Sequence, residues 1–210
     1  MKIVIFGANG KTGTFLTEQA LAKGHIVTAY IRRSGSLVLQ NPNLKLITGN
    51  LNDSNKLKEA ITGSEAVLST LGGGSLTRHS TEIISGIDNI VTLMEAEGVN
   101  RFIYLSSLGA GESRFVMRRL IRFFIADIML RVPLADHTTN EERIAKSNLQ
   151  YTLVRPAGLT NGPKTGRLKH GNQKAILKGN PRISRANVAS FMLDQLSDTS
   201  YLNTGVWIYG

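Results

Sequence analysis

The chain begins with Lys2-Ile3-Val4-Ile5-Phe6 and runs directly into Gly7-Ala8-Asn9-Gly10-Lys11-Thr12-Gly13. The short apolar run predicts a buried strand, and residues 12–23 have the pattern of a helix. Between them the glycines follow the spacing G-x-x-G-x-x-G. Such glycines let the chain turn sharply, let backbone N–H groups approach a pyrophosphate, and let the helix pack on the strand.

This strand, turn and helix together predict a dinucleotide site in which the phosphates lie on the helix N-terminus. The alternative is a plain glycine-rich turn. The residues that we expect to contact the phosphates are Gly7, Asn9, Gly10, Lys11, Thr12 and Gly13.

The rest of the chain repeats the alternation of strand and helix. Further strands are predicted at residues 25–31, Leu44–Thr48, 66–71, Arg101–Leu105 and 151–154, and helices at 54–61, 81–97 and 137–146. Strands separated by helices of this length form βαβ units and a parallel sheet buried on both faces. The chain is therefore predicted to be α/β.

The end of the second strand indicates which dinucleotide binds. An NAD site usually carries an Asp or Glu there, which holds the ribose 2′-OH. Here the sequence is Tyr30-Ile31-Arg32-Arg33-Ser34, without a carboxylate. Because two arginines suit a 2′-phosphate, Arg32 and Arg33 favour NADP(H), with Lys11 as a third positive charge. The alternative is that both arginines only solvate a loop.

Composition excludes several classes of protein. With 210 residues, of which 41% are hydrophobic, the chain suits a single domain, residues 1–210. The absence of cysteine excludes a disulfide scaffold, a zinc–thiolate site and a cysteine nucleophile. We expect no metal. There is no transmembrane segment or signal peptide by sequence, so a cytoplasmic location is the expectation.

Positive charge is concentrated in two stretches. The net charge is +10; residues 155–193 carry eight basic residues and no acidic one, and residues 114–131 carry five arginines and one aspartate. The excess suggests anionic partners, and the alternative is a solvated basic surface. Specific nucleic-acid binding by residues 155–193 is not expected, because no motif and no interleaved aromatic residues accompany the charge of that stretch.

Taken together, these features resemble the atypical short-chain dehydrogenase/reductase group, close to NmrA-like NAD(P)H-binding proteins and to biliverdin-IXβ/flavin reductase. The resemblance rests on residues 7–13, 49–53, 71–74, 98–107, 151–156 and 183–189. It implies a Rossmann-type doubly wound parallel sheet of seven or eight strands, with helices on both faces and a small C-terminal extension on the substrate side. The cofactor would then lie across the carboxyl ends of strands one and four.

The resemblance also implies roles for individual residues. Asn50 and Leu51 would flank the adenine, although the family commonly has Asp at Asn50. The residues that would line the ribose and the nicotinamide are Leu71, Gly72, Gly73, Ser106, Ser107, Pro156 and Ala157. For the two serines, the alternative is that they satisfy backbone groups at the strand end.

The tyrosine–lysine pair of the well-known dehydrogenases of this superfamily is missing. Alignment with them puts Pro133 at the tyrosine position and His137 at the lysine position. Alcohol oxidation by that acid–base mechanism is therefore not expected. Ser107 and His137 are the candidate catalytic residues, because a histidine of ordinary pKa could donate a proton near neutrality. The alternative for His137 is a packed or surface residue.

Residues 114–131 are both apolar and basic. On a single helix, Arg114, Arg118 and Arg122 would form one ridge. We consider four interpretations: a lid over a flat substrate, which the arginines would suit if it is anionic; a membrane-surface helix; an oligomer contact; and a packed helix with a basic outer face. Residues 109–135 and 157–184 are predicted to form the substrate side.

The sequence thus predicts an NADPH-dependent reductase of a small, flat, conjugated acceptor such as a flavin, a quinone or a tetrapyrrole-like molecule. The alternative is a non-catalytic NADP(H)-sensing regulatory protein. A monomer or a homodimer is expected.

Overall fold

The computed structural model describes residues 1–72, 75–117, 119, 122–173, 176 and 181–210, apart from the side chains of residues 122 and 125. Within these ranges the strands are β1 Lys2–Phe6, β2 Ile26–Ile31, β3 Leu44–Thr48, β4 Ala66–Ser69, β5 Arg101–Leu105, β6 Gln150–Pro156, β7 Gly158–Thr160, β8 Lys169–Gly171, β9 Arg182–Ser184 and β10 Thr204–Tyr209. The helices are α1 Lys11–Ala22, α2 Ser54–Ile61, α3 Thr81–Ala96, α4 Arg131–Ala145 and α5 Arg185–Asp194, with a 3-10 helix at Gly111–Val116 and a π-helix at Arg122–Met129.

Eight strands form one sheet in the order β3-β2-β1-β4-β5-β6-β10-β8. Neighbouring strands pair in parallel, except that β8 is antiparallel to β10. The strand order reverses between β1 and β4, which creates a crevice at their carboxyl ends. Ligands of open parallel sheets bind in such a crevice. The strands β7 and β9 pair separately.

Both faces of the sheet are buried. Along β1, Ile3 and Ile5 belong to the core on the side of α1 and α5, whereas Val4 and Phe6 belong to the core on the side of α2, α3 and α4. Because side chains alternate between the faces, a strand covered on both sides needs apolar residues at every position. The continuous apolar run of β1 has this explanation.

The doubly wound fold predicted from the sequence is confirmed, and each predicted strand and helix outside residues 114–131 has its counterpart. The helix predicted at residues 137–146 is the second half of α4, which begins at Arg131. The strands β7 to β9 have three residues each, too few for a periodic pattern. No helix of the described ranges is long and apolar enough to cross a bilayer.

The prediction of a single helix over residues 114–131 is wrong. The first part forms the 3-10 helix, which ends where Met117 adopts an extended conformation with ψ 142°. The second part forms the π-helix, and Leu130 separates it from α4 with φ −108° and ψ 17°. An extended residue cannot continue an α-helix. Arg118 and the side chain of Arg122 lie outside the described residues, so the predicted arginine ridge is not described.

Candidate functional site

A cleft of about 550 Å³ lies at the carboxyl ends of β1, β2, β3 and β4, and the strand order reverses between β1 and β4. Eight of the residues predicted to bind the cofactor line it: Gly7, Asn9, Gly10, Arg32, Asn50, Leu51, Leu71 and Gly72. The fold therefore brings together residues from the loops that follow four strands, β1, β2, β3 and β4. From here on we call this space the cleft.

The glycine loop forms the floor of the cleft. Gly7 has φ +75°, in the left-handed region that favours glycine. A Cβ on Gly13 would lie 2.0 Å from the Gly7 carbonyl oxygen, so the close approach of α1 to the loop requires glycine. Thr70 donates its hydroxyl to the Gly7 carbonyl oxygen at 3.0 Å and ties the end of β4 to the loop. The first N–H groups of α1, which begins after Gly10, have no partner within the helix and can bind an anion.

At the end of β2, Arg32 lines the cleft and Arg33 does not. The Arg32 guanidinium lies 3.8 Å from the Glu82 carboxylate at the start of α3, and both side chains are exposed. The loop after β2 is joined to the glycine loop, because Asn9 donates its amide to the Ser36 hydroxyl at 3.1 Å. An anion bound between the two loops would meet a free helix terminus and one arginine.

One wall of the cleft is built from Tyr30, Asn50 and Leu51. The Tyr30 hydroxyl donates to the Asn50 carbonyl oxygen at 2.8 Å, and burial raises the pKa of Tyr30 to about 12, so its phenol stays neutral. Asn89 donates its amide to the Leu51 carbonyl oxygen at 2.9 Å. A Cβ on Gly86 would lie 2.6 Å from Leu51, so the glycine leaves the space that this side chain fills.

Behind Gly72 lies a polar group that contains His137. Its Nδ1 is 2.8 Å from the Tyr104 hydroxyl, to which Asn140 also donates its amide at 3.0 Å. A Cβ on Gly72 would lie 2.8 Å from His137 Cε1, so the imidazole edge contacts the cleft wall. Burial lowers the pKa of His137 to about 4 and raises that of the Tyr104 phenol. Both groups are neutral at pH 7. The proton-donating role of His137 was predicted from an ordinary histidine pKa, and the lowered pKa removes that basis.

The residues predicted to lie near the nicotinamide are placed at the carboxyl ends of β5 and β6. Ser106 is buried, its N–H donates to the Val154 carbonyl oxygen, and its hydroxyl has no partner among the described residues. Ala157 is buried and donates its N–H to Ile208. None of the four residues Ser106, Ser107, Pro156 and Ala157 lines the cleft.

Lys11, Thr12 and Gly13 belong to the first turn of α1 without lining the cleft, and Gly73 lies outside the described residues. Residues that sequence reasoning missed also line the cleft: Tyr30, Thr70, His79, Ser80, Thr81 and Glu82. The start of α3 is fixed there because Asp136 of α4 accepts hydrogen bonds from the Ser80 N–H at 2.8 Å and from His79 at 2.5 Å.

A second cavity, of about 1030 Å³, lies on the other side of α4, over β6 and the start of β10. Leu134, Thr138 and Glu141 of α4 face it, whereas His137 and Asn140 face a small void beside Gly72. Residues from 109–135 contribute to this second cavity. No described residue of 157–184 lines either the cleft or the second cavity.

Arg155 is buried, so the interpretation of the basic stretch 155–193 as one solvated surface is wrong for this residue. Its guanidinium, 4% exposed, forms two hydrogen bonds of 2.8 Å to Glu141 and one of 2.8 Å to Glu112. Gly205 leaves room for it, since a Cβ there would lie 2.4 Å from the guanidinium. Lys174 and Lys178 of the same stretch lie outside the described residues.

Comparison with known proteins agrees with this geometry. A family model of NAD(P)H-binding proteins matches residues 7–199. An uncharacterized chloroplast protein of Arabidopsis thaliana is 28% identical over 93% of this chain and 71% of its own. An uncharacterized sugar epimerase of Bacillus subtilis is 27% identical over 97% of this chain and 91% of its own.

Solved structures share the fold. A short-chain dehydrogenase/reductase of Veillonella parvula, solved in complex with NADP, superimposes with a TM-score of 0.84 at 21% identity, over 100% of this chain and 94% of its own. An anaerobilin reductase of Escherichia coli superimposes with a TM-score of 0.81 at 22% identity, over 100% of this chain and 97% of its own. The family match confirms the resemblance drawn from the sequence, and this chain belongs to the NAD(P)H-binding family that this model describes.

Proposed function

We propose that this protein is an NADPH-dependent reductase of small, flat, conjugated acceptors such as flavins, quinones or tetrapyrrole-like molecules. The observation that carries the proposal is the cleft itself: a glycine loop, an open helix N-terminus and Arg32 surround one space at the reversal of strand order.

The described residues fit a dinucleotide. The left-handed Gly7 and the close packing at Gly13 hold the loop so that the N-terminus of α1 faces a pyrophosphate. Asn50, Leu51 and Tyr30 offer a flat wall to an adenine. Leu71 and Gly72, which we expect to contact a ribose, also line the cleft. When bound, the reduced nicotinamide supplies a hydride.

The choice of NADP(H) rests on Arg32. It lies in the cleft at the end of β2, where a 2′-phosphate can accept charge-assisted hydrogen bonds from its guanidinium. Arg33 and Lys11 add positive charge nearby without lining the cleft. Glu82 opposes this preference because its carboxylate competes for Arg32, but an exposed pair at 3.8 Å is weak.

The acceptor class follows from the missing acid–base pair. Pro133 cannot act as an acid, burial lowers the pKa of His137 to about 4 so that the imidazole carries no spare proton at pH 7, and burial raises the pKa of the Tyr104 phenol, which makes it a weaker acid. The chain therefore suits a reaction in which hydride reaches an electron-poor ring and water supplies the proton. Ser106, Ser107, Pro156 and Ala157 would then shape the nicotinamide side of the site. The structural neighbour described as an anaerobilin reductase supports a flat tetrapyrrole-like acceptor.

A second candidate is a non-catalytic NADP(H) sensor. The Tyr104–His137 pair favours it, because burial lowers the pKa of His137 to about 4 and raises that of the Tyr104 phenol, so that neither group donates a proton readily at pH 7. The relatives include a photosystem II assembly factor of Synechocystis, 25% identical over 77% of this chain and 46% of its own, whose name describes no reaction.

Steady-state oxidation of NADPH with a panel of flavins and quinones separates the two candidates. A reductase turns over at least one acceptor, and Ser107→Ala and His137→Ala each lower kcat less than about a hundredfold, because neither is the main source of catalysis. Gly10→Val is the control, since it fills the cleft and should abolish turnover. NADPH binding without turnover of any acceptor would support the sensor and refute the reductase.

A further inference from the structure

An exposed apolar surface lies on the segment between β5 and α4. Phe115 of the 3-10 helix and Phe123, Phe124, Ile128 and Met129 of the π-helix are each 52–63% exposed. We call these five side chains the aromatic patch. Single exposed apolar residues are ordinary, but a cluster within fifteen residues of chain marks an interaction surface.

The segment that carries the patch also has buried residues that pack on the rest of the domain. Ala126 is buried against Ala110 and Leu134, with Leu130 packed beside them. In a π-helix, residues four or five apart lie on one face, which places Phe124 with Ile128 and Met129. The rings of Phe123 and Phe124 meet edge to face at 5.3 Å. The apolar side chains of the π-helix are thus exposed while a smaller face holds the segment on the domain, and Phe115 is exposed at the edge of the second cavity.

Basic residues are interspersed in sequence with those of the patch. Arg114 lies over the Phe115 ring at 5.8 Å and also bonds to Asp127 at 2.9 Å, while Arg119 and Arg131 are exposed. Residues 114–131 carry a net charge of +4, from five arginines and one aspartate, in a chain of net charge +10. Apolar and aromatic residues flanked by arginines are the composition of segments that lie in the interface of an anionic bilayer.

We infer that the aromatic patch docks the protein on an anionic phospholipid surface. The phenylalanines, Ile128 and Met129 would enter the boundary between headgroups and acyl chains, and the arginines would face the lipid phosphates. A second copy of the chain is a poorer occupant, because two copies would bring arginine-rich segments of the same sign together. The inference is independent of the cofactor cleft, since none of the five side chains lines it; of the five, Phe115 lines the second cavity.

Vesicle co-sedimentation tests the inference with the full chain. The protein is mixed with vesicles of phosphatidylcholine alone or with about one third phosphatidylserine, at low and high salt. The test variant is Phe123→Ser/Phe124→Ser. The matched control is Val38→Ser/Leu76→Ser, which removes two exposed apolar side chains from other loops. Thermal unfolding verifies that each variant is folded, and Ile128→Ser replaces the test variant if it is not.

The unmodified protein should bind the anionic vesicles, bind neutral ones weakly, and lose binding at high salt because the charges are screened. The test variant should reduce the partition coefficient at least about tenfold, since each buried phenylalanine contributes strongly to partition, and the control should leave it unchanged. Absence of binding to anionic vesicles, or an equal loss in the control, would overturn the inference. The inference would also be overturned, in favour of a second copy, if sedimentation velocity showed a concentration-dependent dimer of the unmodified protein that is absent in the test variant.

Discussion

Gly10 and Gly13 stand three residues apart in one loop, yet we predict opposite consequences when they are substituted. A Cβ on Gly13 would lie 2.0 Å from the Gly7 carbonyl oxygen and 2.9 Å from Ala8 Cα. These are backbone atoms that cannot rotate away. A Cβ on Gly10 would meet only the Gly7 carbonyl oxygen, at 3.1 Å, and Gly10 lines the cleft.

The magnitudes follow from these distances. In Gly13→Ala, the loop and α1 must separate by about 1 Å to restore van der Waals contact, and overpacking of this kind costs about 1–3 kcal/mol. Alanine regains up to about 1 kcal/mol of helix propensity. The free energy of unfolding should therefore fall by about 1–2 kcal/mol. In Gly10→Val, the added methyl groups extend into the cleft, so stability should change by less than about 1 kcal/mol while NADPH affinity falls by more than about tenfold.

Urea unfolding followed by circular dichroism measures the first effect, and calorimetric titration with NADPH measures the second. The two variants serve as controls for each other, because one should mainly lose stability and the other mainly affinity. Undiminished NADPH affinity in a folded Gly10→Val protein would show that the loop is not the phosphate site. Undiminished stability in Gly13→Ala would refute the steric argument.

Three further predictions concern charged and titratable groups. Glu82→Gln should raise NADPH affinity up to about fivefold and leave NADH affinity unchanged in calorimetric titrations, because it removes a carboxylate that competes for Arg32; a fall in NADPH affinity would contradict this. Burial lowers the pKa of His137 to about 4, below its unfolded value near 6.5, so the unfolded chain binds more protons between these pH values. The stability contributed by neutral His137 is therefore complete above about pH 6.5 and is lost as the pH falls towards 4, by about 3 kcal/mol at most. Urea unfolding should show this dependence of the free energy of unfolding on pH, and His137→Gln should remove it. Glu141→Ala should lower the free energy of unfolding by about 3–5 kcal/mol because it leaves a buried guanidinium with one carboxylate fewer, whereas Glu112→Ala, at an exposed partner of the same guanidinium, should cost about 1 kcal/mol; equal losses would refute the distinction.

The strands β1 to β6 and the glycine loop could be predicted because their signals are local, whereas β10 was not among the predicted strands. The apolar run of β1, the glycine spacing after it and the alternation of strands with helices all lie within short stretches of sequence. The strands β7 to β9 could not be predicted, since three residues carry no period. The helix expected over residues 114–131 had a local pattern, but the extended Met117 interrupts it.

The contacts that complete the site depend on long-range packing. Glu82 meets Arg32 from fifty residues away, and His137 meets Tyr104 through the packing of α4 on β5. Charge composition also misled at Arg155, because a count of basic residues does not reveal a buried ion pair. Several of these residues could be selected from the sequence, but the residues that they contact could be identified only from the three-dimensional structure.

Calorimetric titration of the unmodified protein with NADPH and with NADH tests the central claim most directly. If the cleft holds a 2′-phosphate on Arg32, NADPH binds at least about tenfold tighter, a difference of about 1.4 kcal/mol. Arg32→Ala should then remove most of the difference, while Arg33→Ala, outside the cleft, should preserve it. Equal dissociation constants for the two cofactors in the unmodified protein would contradict the account.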